Sequence, residues 1–257
     1  MSSVADDPPA PGFAEVLARL EGVAGWLTEA QARCLWDAAG DVRAGGRIVE
    51  IGSFRGRSTI VLASAADPGV EVVAIDPHGG GDRGPQEISP DAARGEEDFA
   101  AFRANLQRAG VEDRVRHVRL PSDAARHELY GPIDLLYVDG AHRYRPARAD
   151  IEHWGAGVTP GGALLIHDSF NAIGVMLAQL RLLVFSRGWR YHGRHGSLAV
   201  YRREPQPLDA SAMAVNAARQ LAGLAYFARN MCVKVALVAH ARPVARLLGH
   251  GDEPWPY

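Results

Sequence analysis

Cysteine, lysine and surplus charge are what this sequence has least of. There are two cysteines, Cys34 and Cys232, far apart and in no metal or redox spacing. That excludes a disulfide framework and a cysteine-built metal centre, and it leaves two reduced thiols. There is one lysine, Lys234; every other basic residue is arginine or histidine. The formal net charge is −2, which removes the electrostatic case for nucleic acid or an anionic membrane as the main partner. No apolar run approaches the roughly 20 residues of a membrane span, so no transmembrane segment is expected. The opening Met1-Ser2-Ser3-Val4-Ala5-Asp6-Asp7 is acidic and polar, unlike a signal peptide. Internal repeats and low-complexity tracts are missing too. These absences predict a cytoplasmic globular protein.

What is present is a chain of 257 residues, enough for one good-sized α/β domain with small additions. Residues 1–11 hold Pro8, Pro9 and Pro11 beside Asp6 and Asp7 and are predicted to be a disordered tail. Residues 12–44 read as two helices. In the first, Phe13, Val16, Leu17 and Leu20 repeat at helical spacing; the second starts at Thr28. Short runs rich in β-branched residues then alternate with helical stretches. The strands are 48–51, 71–75, 115–120, 133–138 and 163–166. Two further strands, 189–192 and 198–201, lie too close together for a crossover and are predicted to form an antiparallel hairpin. The expectation is an α/β fold with a Rossmann-like, seven-stranded, mostly parallel sheet that ends in this hairpin. The stretch His78–Gly95 is rich in Gly, Asp and Pro and is expected to be a mobile flap or a surface loop.

The organising stretch is Arg47–Thr59. The strand Ile48-Val49-Glu50-Ile51 runs into Gly52 and Ser53, and Gly56 sits where a helix would begin. Gly52 allows a sharp turn and a close approach of ligand to backbone. Free N–H groups at the helix start attract anionic groups. Asp76 closes the second strand 24 residues after Gly52, near the spacing at which a doubly wound fold places a carboxylate on ribose hydroxyls. Asp139 and Asp168 close two more strands, and ligands of open α/β sheets bind at those carboxyl ends.

With these motifs the chain resembles a class I S-adenosylmethionine-dependent methyltransferase over residues 45–203. The subtype it resembles has Glu-Ile-Gly-x-x-x-Gly, Asp-Gly-x-His-x-Tyr, Pro-Gly-Gly and a His-Asp pair. Here these are Glu50–Thr59, Asp139–Tyr144, Pro160–Gly162 and His167-Asp168. The resemblance implies S-adenosylmethionine as cofactor, with Gly52, Ser53 and Gly56 around its amino acid part and Ser58 near its carboxylate. Asp76 would hold the ribose, Ser122 and Asp123 would lie beside the adenine, and Glu50 would support the turn. Asp139 could orient the cofactor's amino group. Ser58 and Asp123 could equally be helix caps.

Asp139, His142, His167 and Asp168 form a second constellation. Methyl transfer to a hydroxyl needs an acceptor that loses its proton, through a base or a divalent ion. Related natural-product and sugar O-methyltransferases hold Mg²⁺ or Mn²⁺ with acids after these strands. The resemblance therefore implies Asp139, His167 and Asp168 as metal ligands, with His167 a departure from an acid, and His142 as base. The activity implied is O-methylation of a small hydroxylated acceptor, a sugar or natural product. The alternatives are a hydroxylase-like or non-catalytic cofactor-binding relative, and an NAD(P)-dependent oxidoreductase, which lacks support from a third glycine. Tyr144 is either a substrate contact or packing, and Trp26, Trp36 and Trp154 are expected in the core or an interface. Residues 208–250 form a helical extension with a heavy apolar load. It could cover the sheet, pair two copies or touch a membrane surface.

Overall fold

The computed structural model describes residues 11–81, 89–129 and 131–251. Most of the expected tail (1–10) and the middle of the expected flap (82–88) lie outside the described residues.

Seven strands form one sheet in the order β3-β2-β1-β4-β5-β7-β6. They are β1 (Arg47–Ile51), β2 (Glu71–Ile75), β3 (Val115–Val118), β4 (Ile133–Val138), β5 (Val158–Ile166), β6 (Trp189–His195) and β7 (Leu198–Arg203). The first five are mutually parallel, and β7 pairs antiparallel with both β5 and β6. Hence the order reverses between β1 and β4, and a crevice opens where their connections leave on opposite faces.

Alternation along the strands sorts the core into two layers. Ile48 and, on β4, Leu135 and Tyr137 face one layer, packed under α1 (Phe13–Arg19), α2 (Glu29–Gly40), α3 (Arg57–Ala65) and α4 (Ala92–Arg108). Val49, Ile51, Leu136 and Val138 face the other, under α5 (Ser122–Ala125), α6 (Tyr144–Gly155) and α7 (Ile173–Leu182). Helix α2 begins with a capping box, in which Thr28 and Gln31 satisfy each other's backbone N–H groups.

Several boundaries differ from the sequence expectation, among them β3, which ends at Val118 and not at residue 120. Strand β5 starts at Val158, because Val158 pairs with Ile133 before a register shift and Ala163 then pairs with Leu135. The Pro160-Gly161-Gly162 segment is thus an irregularity inside a strand, with Gly161 at φ 84°, and no separate turn. Helix α4 starts at Ala92, four residues before Glu96, because Asp91 caps it by accepting from the Arg94 N–H. The hairpin strands are longer than expected and turn at Gly196.

Beyond the sheet lie α8 (Ala210–Ala222), α9 (Leu224–Val238) and α10 (Arg242–Leu247). Helices α8 and α9 run on through Gly223, whose backbone is helical (φ −66°, ψ −17°). Together Ala210–Val238 make 29 residues whose most apolar window has a mean hydropathy of 1.4, so by length and composition this run could cross a membrane. The sequence expectation, made from uninterrupted apolar runs, was of no such stretch. One side of the run is held to the domain by polar groups. Asn216 accepts from the Tyr191 N–H and donates to the Trp189 carbonyl, and Asn230 donates to the Phe170 carbonyl. The other side exposes Val215, Leu221, Val235 and Val238.

Gly223 sits against the Phe170 ring, and a methyl group there would collide with it. Alanine normally stabilises a helix interior by about 1 kcal/mol over glycine. Here Gly223→Ala should instead destabilise by roughly 1–3 kcal/mol through overpacking. Urea denaturation checks this, and a gain in stability would show that α9 is not docked on Phe170.

Candidate active site

A cavity of about 670 Å³ opens at the carboxyl ends of β1, β2 and β4. Its floor is the turn after β1. Gly52 adopts φ 87°, and any Cβ there would run into the Asp139 carbonyl. The glycine is therefore demanded first by a crossing of two backbones, apart from any approach of a ligand. Gly56 starts α3 at φ 85° with Leu106 and Phe102 packed against it, and it does not line the cavity.

Glu50 is fully buried below the turn, where its carboxyl accepts from the Ser58 and Thr59 hydroxyls. Burial pushes its pKa up to about 8, against those two bonds, with Asp139 and Asp76 adding to the rise. It does not reach the cavity wall. Ser58 does, but its hydroxyl is committed to Glu50. Ser53 also lines the cavity, and its buried hydroxyl has no partner among the described residues.

Asp76 closes β2 and binds two backbones at once. One oxygen accepts from the Phe54 N–H at 2.8 Å and the other from the His78 N–H at 2.7 Å. Phe54 (φ 44°) and His78 (φ 46°) both hold left-handed backbones, so the carboxylate supports strain on both sides of the cavity. The Phe54 ring stacks on Trp26 at 5.6 Å between centroids. Trp26 is 42% exposed and lines the cavity, so it is not a core residue. Arg57 brings it there, donating from α3 to the Leu20 and Val23 carbonyls and tying the link between α1 and α2 to the site.

At the β3 end, Ser122 donates to Asp150 of α6, and both line the cavity. Asp123 lines it too, but is exposed and accepts from the Ala124 N–H beside it. Tyr144 packs into the core layer under α6 and is not among the cavity residues.

At the β4 and β5 ends five groups converge: Tyr137, Asp139, His142, His167 and Asp168. Tyr137 donates to Asp139 at 2.9 Å. Burial holds the tyrosine well above its ordinary pKa, and Asp139 and Glu50 add to that. The His167 Nδ1 lies 3.1 Å from Asp139 and 3.5 Å from Asp168. Burial alone would lower the His167 pKa, but the two carboxylates outweigh it and raise it well above the usual histidine value. His142 reaches the cavity with its Nε2 3.2 Å from the Asp168 carboxylate. Asp168 is 2% exposed with φ 50° and also accepts from Asn171 at 3.2 Å. The ligand atoms of Asp139, His142 and Asp168 all lie within 4.8 Å of one another. Of the four residues singled out in the sequence, Asp139, His142 and Asp168 form a donor set whose first two members line the cavity, and buried His167 lies between the same two acids. Tyr137, Trp26 and Asp150 were missed. Nothing in a local motif marks them, since each gains its place through a contact made in the fold.

A seven-stranded sheet in this order, with a glycine turn after β1 and acids at the ends of β2, β4 and β5, defines a class I methyltransferase. A sequence-family model described as "Methyltransferase domain" matches residues 49–169. The catechol O-methyltransferase of Mycobacterium tuberculosis (strain ATCC 25618 / H37Rv) is 32% identical over 179 residues, 68% of this chain and 71% of that protein. An O-methyltransferase from Bacillus cereus in complex with SAH shares the fold with a TM-score of 0.51 at 21% identity, covering 74% of this chain and 88% of that one. A SAM-dependent O-methyltransferase from Thermotoga maritima does so with a TM-score of 0.53 at 14% identity, covering 77% and 73%. The chain belongs to the S-adenosylmethionine-dependent O-methyltransferases.

Glu50 yields a prediction of sign. Its carboxyl keeps a proton in the folded protein up to pH about 8, whereas the unfolded chain loses it near 4.5. The unfolded state binds fewer protons between those values, so this group's contribution falls as pH rises through the window, by an amount on the order of 5 kcal/mol at most. In the ligand-free protein Glu50→Gln should flatten that decline and gain most over the wild type near pH 8. Thermal melts from pH 5 to 8 test it; parallel profiles would remove Glu50 as the source.

Proposed function

We propose that the protein methylates a hydroxyl of a small acceptor, a sugar or natural product, and that His142 takes the hydroxyl proton. The observation that carries this is the placement of His142 on the cavity wall, backed at 3.2 Å by the buried Asp168. Such a carboxylate fixes an imidazole and stabilises it once protonated. S-adenosylmethionine supplies the methyl group as a sulfonium, and its sulfur leaves as a neutral thioether. The acceptor oxygen forms the new bond to carbon as its proton passes to His142.

The chain's own residues fit the donor. Asp76, already braced by two N–H groups, has the remaining lone pairs for ribose hydroxyls. Gly52 and Ser53 place a turn with little side-chain bulk beside the amino acid part. Glu50 and Gly56 support that turn from behind. The stacked Trp26 and Phe54 put an aromatic wall on the same cavity, which suits a flat acceptor. Catechols therefore belong beside sugars among the first acceptors to assay.

A second reading keeps a divalent ion. Two carboxylates and an imidazole within 4.8 Å are a donor set that Mn²⁺ accepts, and Mg²⁺ is compatible with the carboxylates. Asp139 and Asp168 would hold the ion with His167 or His142 as the nitrogen ligand. A His142 bound to metal cannot also take the proton, so the two readings exclude each other at that residue.

Mass-spectrometric detection of methylated product separates them. As base, His142→Ala should lower kcat about 100-fold or more, with the KM for S-adenosylmethionine within about twofold. Full activity in the variant would remove His142 from the reaction. Chelation should leave the wild type active if His142 acts without an ion. Loss of activity on chelation, restored by Mg²⁺ or Mn²⁺, would establish the metal; His142→Ala losing kcat as well would then leave His167 as the nitrogen ligand and His142 as the base.

A further inference from the structure

We propose that Asp150, and not the acid after β3, reads the 6-amino group of the cofactor's adenine; this rests on the cavity being the methyl-donor site. Asp150 is 4% exposed, and it lines the cavity with Pro146 and Ala149, one turn and one residue earlier on α6. One carboxylate oxygen is occupied by the Ser122 hydroxyl. The other has no hydrogen-bond partner among the described residues, yet it is not sealed inside the protein, so it opens to the cavity. It lies 3.3 Å from where a Cβ on Gly140 would sit, across a slot that Gly140 also lines.

A carboxylate oxygen buried without a donor is costly, and a ligand N–H relieves that cost. Burial raises the Asp150 pKa to about 6, against the Ser122 bond and with Asp123 adding, so near neutral pH the group is mostly ionised and only accepts. Its ligand must therefore donate. Asp76 fixes the ribose at the end of β2, and the chain beyond that point toward β3 ends in the Pro121-Ser122 turn facing α6. A base attached to that ribose enters the slot between them. The exocyclic amine is the donor that adenine carries at its edge. Asp123 is a poorer reader, because it is exposed and already accepts from its own turn.

The test compares S-adenosylhomocysteine with its 6-oxo analogue, S-inosylhomocysteine, which presents an acceptor where adenine presents a donor. Calorimetry on the full chain should show the wild type preferring the adenine compound about tenfold or more, since a site built around an N–H rejects the analogue lacking it. Asp150→Ala should weaken S-adenosylhomocysteine about tenfold and bring the two compounds within about twofold. Asp150→Asn should also level them, because an amide can accept from one and donate to the other, and it carries the same test if the alanine variant does not fold. A retained preference in these variants, or none in the wild type, overturns the role of Asp150. A wild type that binds neither compound overturns the cavity reading and this proposal with it.

Discussion

The site depends on one close passage of backbone over backbone. After β1 the chain crosses the end of β4 so tightly that Gly52 meets the Asp139 carbonyl with no room for a side chain. Strand pairing fixes the crossing, since the Asp139 N–H donates to Ile51 and the Gly52 N–H donates to Ile75. Three strand ends are thereby locked at one point. Asp76, Asp139 and the start of α3 follow from it, because each continues a strand that the crossing has already placed. A residue larger than glycine would separate β1 from β4 and open the floor of the cavity.

The carboxyl groups gathered around this crossing do different work because they meet different partners. Glu50 shares its face of the sheet with Tyr137, to which it is paired in register, and two hydroxyls hold its proton-bearing group below the turn. Asp76 accepts from two backbone N–H groups and brackets the chain on both sides of the cavity. Asp139 and Asp168 share His167, and Asp168 also meets His142. Carboxylates around a cavity attract a cationic ligand, and a sulfonium donor is cationic.

Much of this was legible in the residues. The strands show as β-branched runs bounded by glycine, proline or an acid, so their places along the chain and the closing hairpin were legible, whereas their order in the sheet comes from the fold. The acids at strand ends were legible for the same reason, since a parallel sheet sends all its carboxyl ends to one edge. What was not legible depended on contacts distant in sequence. Trp26 reaches the cavity through contacts distant in sequence, with Arg57, 31 residues later, bonding to the carbonyls before it and Phe54 stacking on its ring. Asp150 is read from sequence as one more polar residue on an amphipathic helix, and only Ser122 and the slot give it another meaning. The Pro160-Gly161-Gly162 stretch carries every mark of a turn, but pairing with β4 on both sides keeps it within a strand.

The C-terminal helices show the same limit most clearly. Their apolar load draws attention to Leu221, Val235 and Val238, which are exposed. Their attachment to the reacting end of the molecule is instead polar. Asn230, fully buried, donates to Asn171 at 2.7 Å, and Asn171 donates to Asp168, which faces His142. Lys234 adds a bond from the same helix to the Asn171 carbonyl at 2.6 Å. The turn 168–172 carries a left-handed Asp168, a conformation that a β-carbon disfavours and that persists only where the surroundings hold it. Helix α9 supplies that hold. Its place in the molecule is therefore set less by the apolar residues that make it conspicuous than by one asparagine and the chain's single lysine, which fix the turn behind His142.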